Sequence, residues 1–206
     1  FPDRHVQTVG FRLNAEEYGL YKAVTAYINE FLPQAGGRQK QSVALTRTVL
    51  QRRLASSTHA ILESLKRRLE KQRKLMQELE SLPSNQRARY LDRLRGRLSD
   101  DEIDEDDLDD AMRDRLTDEF TAAAELDQLR AEVAALKDLV EQAQQVHEHA
   151  LDSKLGALRD CLKRAEFAEL DGRGKLLIFT EHRDTLNHLR EHLSRWGYST
   201  TEIHGG

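Results

Sequence analysis

Apolar residues recur along most of this chain at steps of three and four, the spacing that puts side chains on one face of an α-helix. Past Asn14, the positions Leu20, Val24, Ile28 and Phe31 or Leu32 keep that rhythm until Pro33, and Gly36-Gly37 then make a loop. Asn14 with Glu17 three residues later is a capping-box pair, each side chain answering the other's backbone N–H. A second helix is predicted over about 39–55, with Val43, Thr46 or Arg47, Leu50 and Leu54 on one face. Ser56-Ser57-Thr58 interrupt it and offer a cap to the next helix, about 59–81. That helix stacks Leu62, Leu65, Leu69, Met76 and Leu79, with Gln72 as the polar exception. Pro83-Ser84-Asn85 break the pattern, and 86–97 reads as a short basic helix. From about 111 to 150 a long helix carries Leu126, Leu129, Val133, Leu136, Val140 and Ala143, a seam of coiled-coil type. A further helix is predicted over about 153–170.

The rhythm changes near both ends. Residues 5–13 alternate, with Val9, Phe11 and Leu13 on one face, as a strand does. Lys175–Thr180 is a continuous apolar run of the length of a parallel strand buried on both faces. A helix over 182–196 follows, with Leu186, Leu189, Leu193 and Trp196 inward, and beyond Gly197 the stretch Tyr198–Ile203 reads as a second strand. The expected fold is therefore mainly α with a partial α/β end, a β-α-β unit beside a long helical hairpin. Its parts are a lead-in over 1–58, a helical arm over 59–170 with an acidic loop at about 99–110, and an α/β portion over 171–206. The 126–143 seam is expected to pack on the 59–81 helix as an antiparallel arm in preference to pairing with a second copy.

Composition agrees with this reading. With 38% hydrophobic and 33% charged residues, the chain suits long helices that bury one stripe each. It has no apolar run long enough to span a membrane. A single cysteine, Cys161, precludes an internal disulfide and fits a reducing cytoplasm. The opening Phe1-Pro2-Asp3-Arg4 reads as part of something longer. The net charge of −4 hides an asymmetry: residues 1–97 hold 19 Lys and Arg against 9 Asp and Glu, whereas 98–206 hold 13 against 27. Either the basic half binds a polyanion or the two halves attract each other.

Two stretches resemble a known family. Lys175-Leu-Leu-Ile-Phe-Thr-Glu-His-Arg-Asp-Thr-Leu186, followed by Gly197-Tyr198 and then Ile203-His-Gly-Gly206, resembles the start of the second RecA-like lobe of superfamily 2 helicases. It looks most like Swi/Snf-type translocases and the bacterial RapA-like and DISARM-type helicases. The Phe-Pro-x-Arg opening, Leu13-Asn-Ala-Glu-Glu-Tyr18 and Thr48–Ser57 resemble the lead-in between the two lobes of that group, with Ser64-Leu-Lys-Arg-Arg68 beyond. The resemblance covers about 1–69 and 172–206; the middle, about 70–171, resembles no family signature and reads as an insertion. It implies a double-stranded DNA partner, with ATP and magnesium in the intact motor. Ile178–Glu181 matches the family's motif IV, and His204-Gly205-Gly206 the next loop near the nucleic-acid track. The sequence departs from the family's ATPase pattern. It has no Gly-x-x-x-x-Gly-Lys-Ser/Thr loop and no strand-end Asp-Glu box, and it contains no lobe-two arginine motif. Phosphoryl transfer needs phosphate cradle, metal and arginine together, so no catalytic residue is expected in this chain.

The nucleic-acid contacts expected here are Thr180, His182 and Arg183 at the strand-to-helix turn, and Gly205 and Gly206 where backbone approaches a phosphate. A basic patch of Arg52, Arg53, Lys66, Arg67 and Arg68 beside Ser56-Ser57 adds duplex-backbone contacts. Against each stands a plainer reading: Thr180 as a helix cap, the glycines as a tight turn, the arginines as a solvated or internally paired face. His147 and His149 sit two apart, and His188 and His192 four apart; solvent-facing histidines are expected there, and no metal. The alternative to a motor fragment is a non-enzymatic coiled-coil module that binds a protein partner through the arm.

Overall fold

The computed structural model describes residues 8–32, 40–87, 89–90, 126–149, 152–164 and 176–203. They are mainly helical: α1 (Ala15–Phe31), α2 (Lys40–Ser56), α3 (Thr58–Ser81), α4 (Leu126–His149), α5 (Ser153–Arg164) and α6 (Arg183–Arg195). The acidic run 99–110, the body of the 86–97 segment and the glycines at 205 and 206 lie outside the described residues. No described helix is long and apolar enough to cross a membrane.

The helix ends form where the local chemistry requires. Asn14 Oδ1 accepts from the Glu17 N–H at 2.8 Å while Glu17 accepts from the Asn14 N–H at 2.9 Å, the full capping box. Ser57 caps α3 by accepting from the Ala60 N–H at 3.0 Å. At the other ends, Arg47 donates to the last carbonyl region of α1 at Leu32, and Lys154 donates to the Ala55 and Ser56 carbonyls that close α2. α6 ends in a Schellman turn: Gly197 takes φ +89, its N–H bonds Ser194, and the Tyr198 N–H bonds Leu193.

The core lies where α3 meets α4, with α1 packed on the pair. Leu65, Leu129, Leu136, Ala143, Val24 and Ile28 are sealed from water there. Partners run in opposite order along the two long helices, Glu80 with Arg130, Arg68 with Glu132 and His59 with His147. The antiparallel arm within one chain is thus as expected. Its apolar stripe is broader than the heptad seam: Leu139 and Val146 are buried, and Val140 only partly. A straight helix of 3.6 residues per turn drifts off a strict 3.5 repeat in this way.

The stripe also carries charge. Glu132 on α4 and Arg68 on α3 are 2% exposed each and meet at 2.6 Å. The same Glu132 oxygen accepts from the Tyr27 hydroxyl at 2.7 Å and from Gln72 at 3.4 Å, and Arg68 Nε donates to that hydroxyl. Burial, with the carboxylate beside it, pushes the Tyr27 phenol up, against the pull of Arg68, so it stays a donor. Burial alone disfavours the Arg68 charge, but Tyr27 and Glu132 outweigh it and hold the guanidinium protonated. Gln72, the polar exception in its helix, is one wall of this pocket of charge.

The expected strands are not formed: no strand is present among the described residues. Of the β-α-β unit only the helix is seen, and the stretches 8–13, 176–180 and 198–203 are irregular. A strand exists by pairing its N–H and C=O groups with a neighbour, and the helical body offers no sheet edge to these segments. Their apolar side chains stay out in water, Val9 and Phe11 near one end, Leu177, Phe179 and Ile203 near the other.

Removing one partner from the buried charge pocket strands the others. Glu132→Ala is expected to cost about 3–5 kcal/mol of unfolding free energy in urea titration. The triple change Tyr27→Phe, Arg68→Met and Glu132→Leu should recover most of that loss, which a single-site packing defect would not do.

Candidate functional site

Two stretches far apart in the sequence, 52–67 and 181–185, meet at a junction built by α2, the start of α3 and the turn into α6. Arg53, on the inner face of α2, is 2% exposed and reaches Asp184 at 2.9 Å and Ser64 at 2.9 Å. Arg67 on α3 reaches the same Asp184 oxygen at 2.9 Å. Burial alone would raise the Asp184 carboxyl, but the two guanidiniums hold it below the ordinary carboxylate range. Beside this ion triad the Ser56 and Ser57 hydroxyls lie 2.8 and 3.1 Å from the Thr185 hydroxyl. At the rim Arg52 bridges to Glu181 at 2.9 Å, both side chains about half exposed. Residues 52–67 and 181–185 therefore form one packed unit although more than a hundred positions separate them.

This packing redistributes the expected phosphate contacts. Arg53 and Arg68 are enclosed and spent on Asp184 and Glu132, which corrects their assignment to a DNA-facing patch. The physical reason is helical phase. Both fall on the stripe facing a neighbouring helix, where an arginine survives only with a carboxylate partner. Arg67 is half-buried against Asp184. Lys66 pairs with Glu63 within its own helix and keeps 41% of its side chain exposed. Arg52 is 57% exposed. Arg183 is exposed at the first turn of α6, and Thr180 is half-buried. His182 is buried and occupies the N-cap position of α6 without capping it through its side chain. Thr180 lies two residues earlier, so it is not the cap that the plainer reading made it.

Under Thr180 a cavity of about 200 Å³ opens between the end of α2, α5 and α6, with Ser56, Ser57, Lys154, Thr180 and Thr185 on its walls. Ligand pockets usually run from about 300 Å³ upward, so this space is too small for a nucleotide.

The histidines depart furthest from expectation. His59 of α3, His147 of α4 and His188 of α6 sit with ring centroids 5.2, 5.2 and 5.5 Å apart. His192 is 4.5 Å beyond His188, and Trp196 a further 6.0 Å. His188 is buried, and His147 and His192 are half-buried, as is His59, so the solvent-facing expectation fails for His147, His188 and His192 and holds for His149, which is exposed. Burial first, then the neighbouring imidazoles, hold His59, His147 and His192 below the ordinary histidine range. Asp152, just before α5, lies 3.8 Å from His188. It also accepts from the Leu155 N–H at 2.7 Å and from Thr58. Among the described residues no three His, Cys, Asp or Glu side chains are arranged to hold a metal ion. The pair spacing of His188 and His192 was visible in the sequence; their meeting with His59 and His147 was not, because it needs the antiparallel register of the hairpin.

Asp184 and Arg52 separate the inner and outer layers of the junction. Asp184→Asn is expected to cost about 1–3 kcal/mol, because the enclosed Arg53 loses its carboxylate. Arg52→Ala, at an exposed pair, should change stability by no more than about 1 kcal/mol. Equilibrium urea unfolding of both variants measures the contrast.

No protein-family model, no curated protein and no solved structure matches this chain.

Proposed function

We propose that this chain is the start of the second RecA-like lobe of a superfamily 2, Swi/Snf-like DNA translocase, and carries a helical arm inserted into it. The supporting observation is the junction itself. In that reading the lead-in helices and the segment beginning at Leu176 belong to one lobe, which demands that sequence-distant ends pack together. The ion triad of Arg53, Arg67 and Asp184, with the Ser56–Thr185–Ser57 hydroxyl cluster, is a packed contact of that kind. The exposed Leu177, Phe179 and Ile203 fit as well, being the residues that neighbouring strands and helices cover in a parallel α/β lobe.

On this reading the arm is the α3–α4 hairpin, which projects from the lobe and couples to DNA or to a partner protein. ATP and magnesium act in the intact motor, where closure of two lobes around nucleotide steps the protein along double-stranded DNA. The residues that hold them are not in this chain, and the 206 residues alone are expected not to hydrolyse ATP. The lone Cys161 is in keeping with a reducing cytoplasm. DNA contact falls to the basic side chains that the junction leaves near water, Arg52, Lys66 and Arg183, and to Thr180, with Gly205 and Gly206 kept as candidates from the sequence alone.

Fluorescence anisotropy with a labelled duplex of about 30 base pairs, read between about 50 and 200 mM salt, tests the assignment. Binding is expected to weaken steeply with salt, and Arg183→Ala and Lys66→Ala should each lower the slope of log affinity against log salt by about 1. Absence of binding at the lower salt, or binding indifferent to salt, would overturn the DNA assignment. Capture of a protein partner that follows the hairpin alone would favour the coiled-coil interaction module instead.

A further inference from the structure

Four imidazoles gathered from three helices are a costly arrangement if any more than one is charged. Around them the carboxylates are already committed. On α3, Glu63 pairs with Lys66. On α6, Asp184 holds Arg53 and Arg67, and Glu191 pairs with Arg195. Arg190, on the same helix, is bridged to Glu202. Among the described residues, Asp152 stands beside the cluster with neither an arginine nor a lysine on it, 3.8 Å from His188 Nε2. One imidazolium at His188 therefore has a counter-charge close by. A second, on His59, His147 or His192, would meet like charge within about 5 Å in a partly buried site, where charges are less screened than in bulk water.

Position gives the cluster leverage. His59 and His147 belong to the hairpin, whereas His188 and His192 belong to α6. His59 Nδ1 and His188 Nε2 are buried without a hydrogen bond, so neither atom ties its ring to a neighbouring helix. An open groove of about 640 Å³, lined by His59, His188, Arg190 and Arg195 among others, gives protons access from solvent. We propose that this histidine cluster is a proton-sensitive latch that holds α6 on the α3–α4 hairpin at neutral pH and releases it on mild acidification. The latch does not depend on the chain's serving a DNA motor.

The direction follows from linkage. Imidazoles held below their ordinary range in the closed state take up protons more readily once α6 has moved away. Closure thus keeps its full stability above about pH 6.5, where open-state histidines are neutral, and loses it as the pH falls from there. Asp152 and Asp184 act in another window. Both are held low, so what they contribute is lost only below about pH 4.

Amide hydrogen exchange by mass spectrometry on the whole chain in EDTA, corrected for the intrinsic pH dependence of exchange, reads the opening of α6 against α1 as reference. Between pH about 7.5 and about 5, α6 opening is expected to rise about tenfold or more, because the open state binds protons that the closed cluster refuses. Protection of α1 should hold. The double variant His59→Gln/His147→Gln should flatten the response, and Asp152→Asn, which keeps the cap on α5 but removes the counter-charge, should steepen it. Unchanged α6 exchange across this range would overturn the latch. So would equal loss of protection in α1 and α6, or an acid response that survives the double histidine variant.

Discussion

A carboxylate sealed between two long helices has to meet its cation at a fixed height along them. Glu132 does so with Arg68, and the pairing sets the register of the whole hairpin. Purely apolar stripes slide past one another at modest cost, because a leucine finds a similar groove one turn on. A buried ion pair does not slide, since a shift of one turn leaves two uncompensated charges out of water. Tyr27 ties α1 to the same point through its hydroxyl. Once residues 68 and 132 are level, residues 59 and 147 are level too, and the upper end of the hairpin is arranged to receive α6.

Among the described residues, several of the opposed charges of the two halves of the sequence pair inside the molecule. Arg52, Arg53, Arg67 and Arg68 come from the basic half, and Glu181, Asp184 and Glu132 from the acidic half. Mutual attraction is thus the stronger part of the asymmetry among the described residues, and a polyanion would meet a smaller basic surface than the count of arginines suggests. What remains near water lies around the turn into α6 and along the outer face of α3, next to the small cavity under Thr180.

The joint between hairpin and α6 is therefore made of two unlike contacts. In the Asp184 triad one carboxylate, held low, serves two guanidiniums, so none of its charges changes near neutral pH. The histidine cluster is compensated for one proton and no more. An arm joined to a motor lobe through such a joint would keep its seat at neutral pH by electrostatic balance as much as by apolar burial, since α6 brings polar Thr185 and His188 inward at this contact.

Local chemistry was legible from the residues alone. The capping box at Asn14, the stop near Pro33, the Ser57 cap and the Gly197 terminus all depend on groups a few positions apart, and each lies where the pattern put it. Strand character at 8–13, 176–180 and 198–203 was equally readable, yet no strand forms among the described residues, because pairing is a property of neighbours and not of a segment. The fate of individual charged and titratable side chains was settled by tertiary structure. Arg68 and Lys66 look alike in a basic run, but one faces Glu132 and the other solvent. His188 and His147 look like surface histidines until three helices bring them together. A helix's own sequence tells which face is apolar; which charge lies across from it is decided only when a distant helix is set against that face in one register.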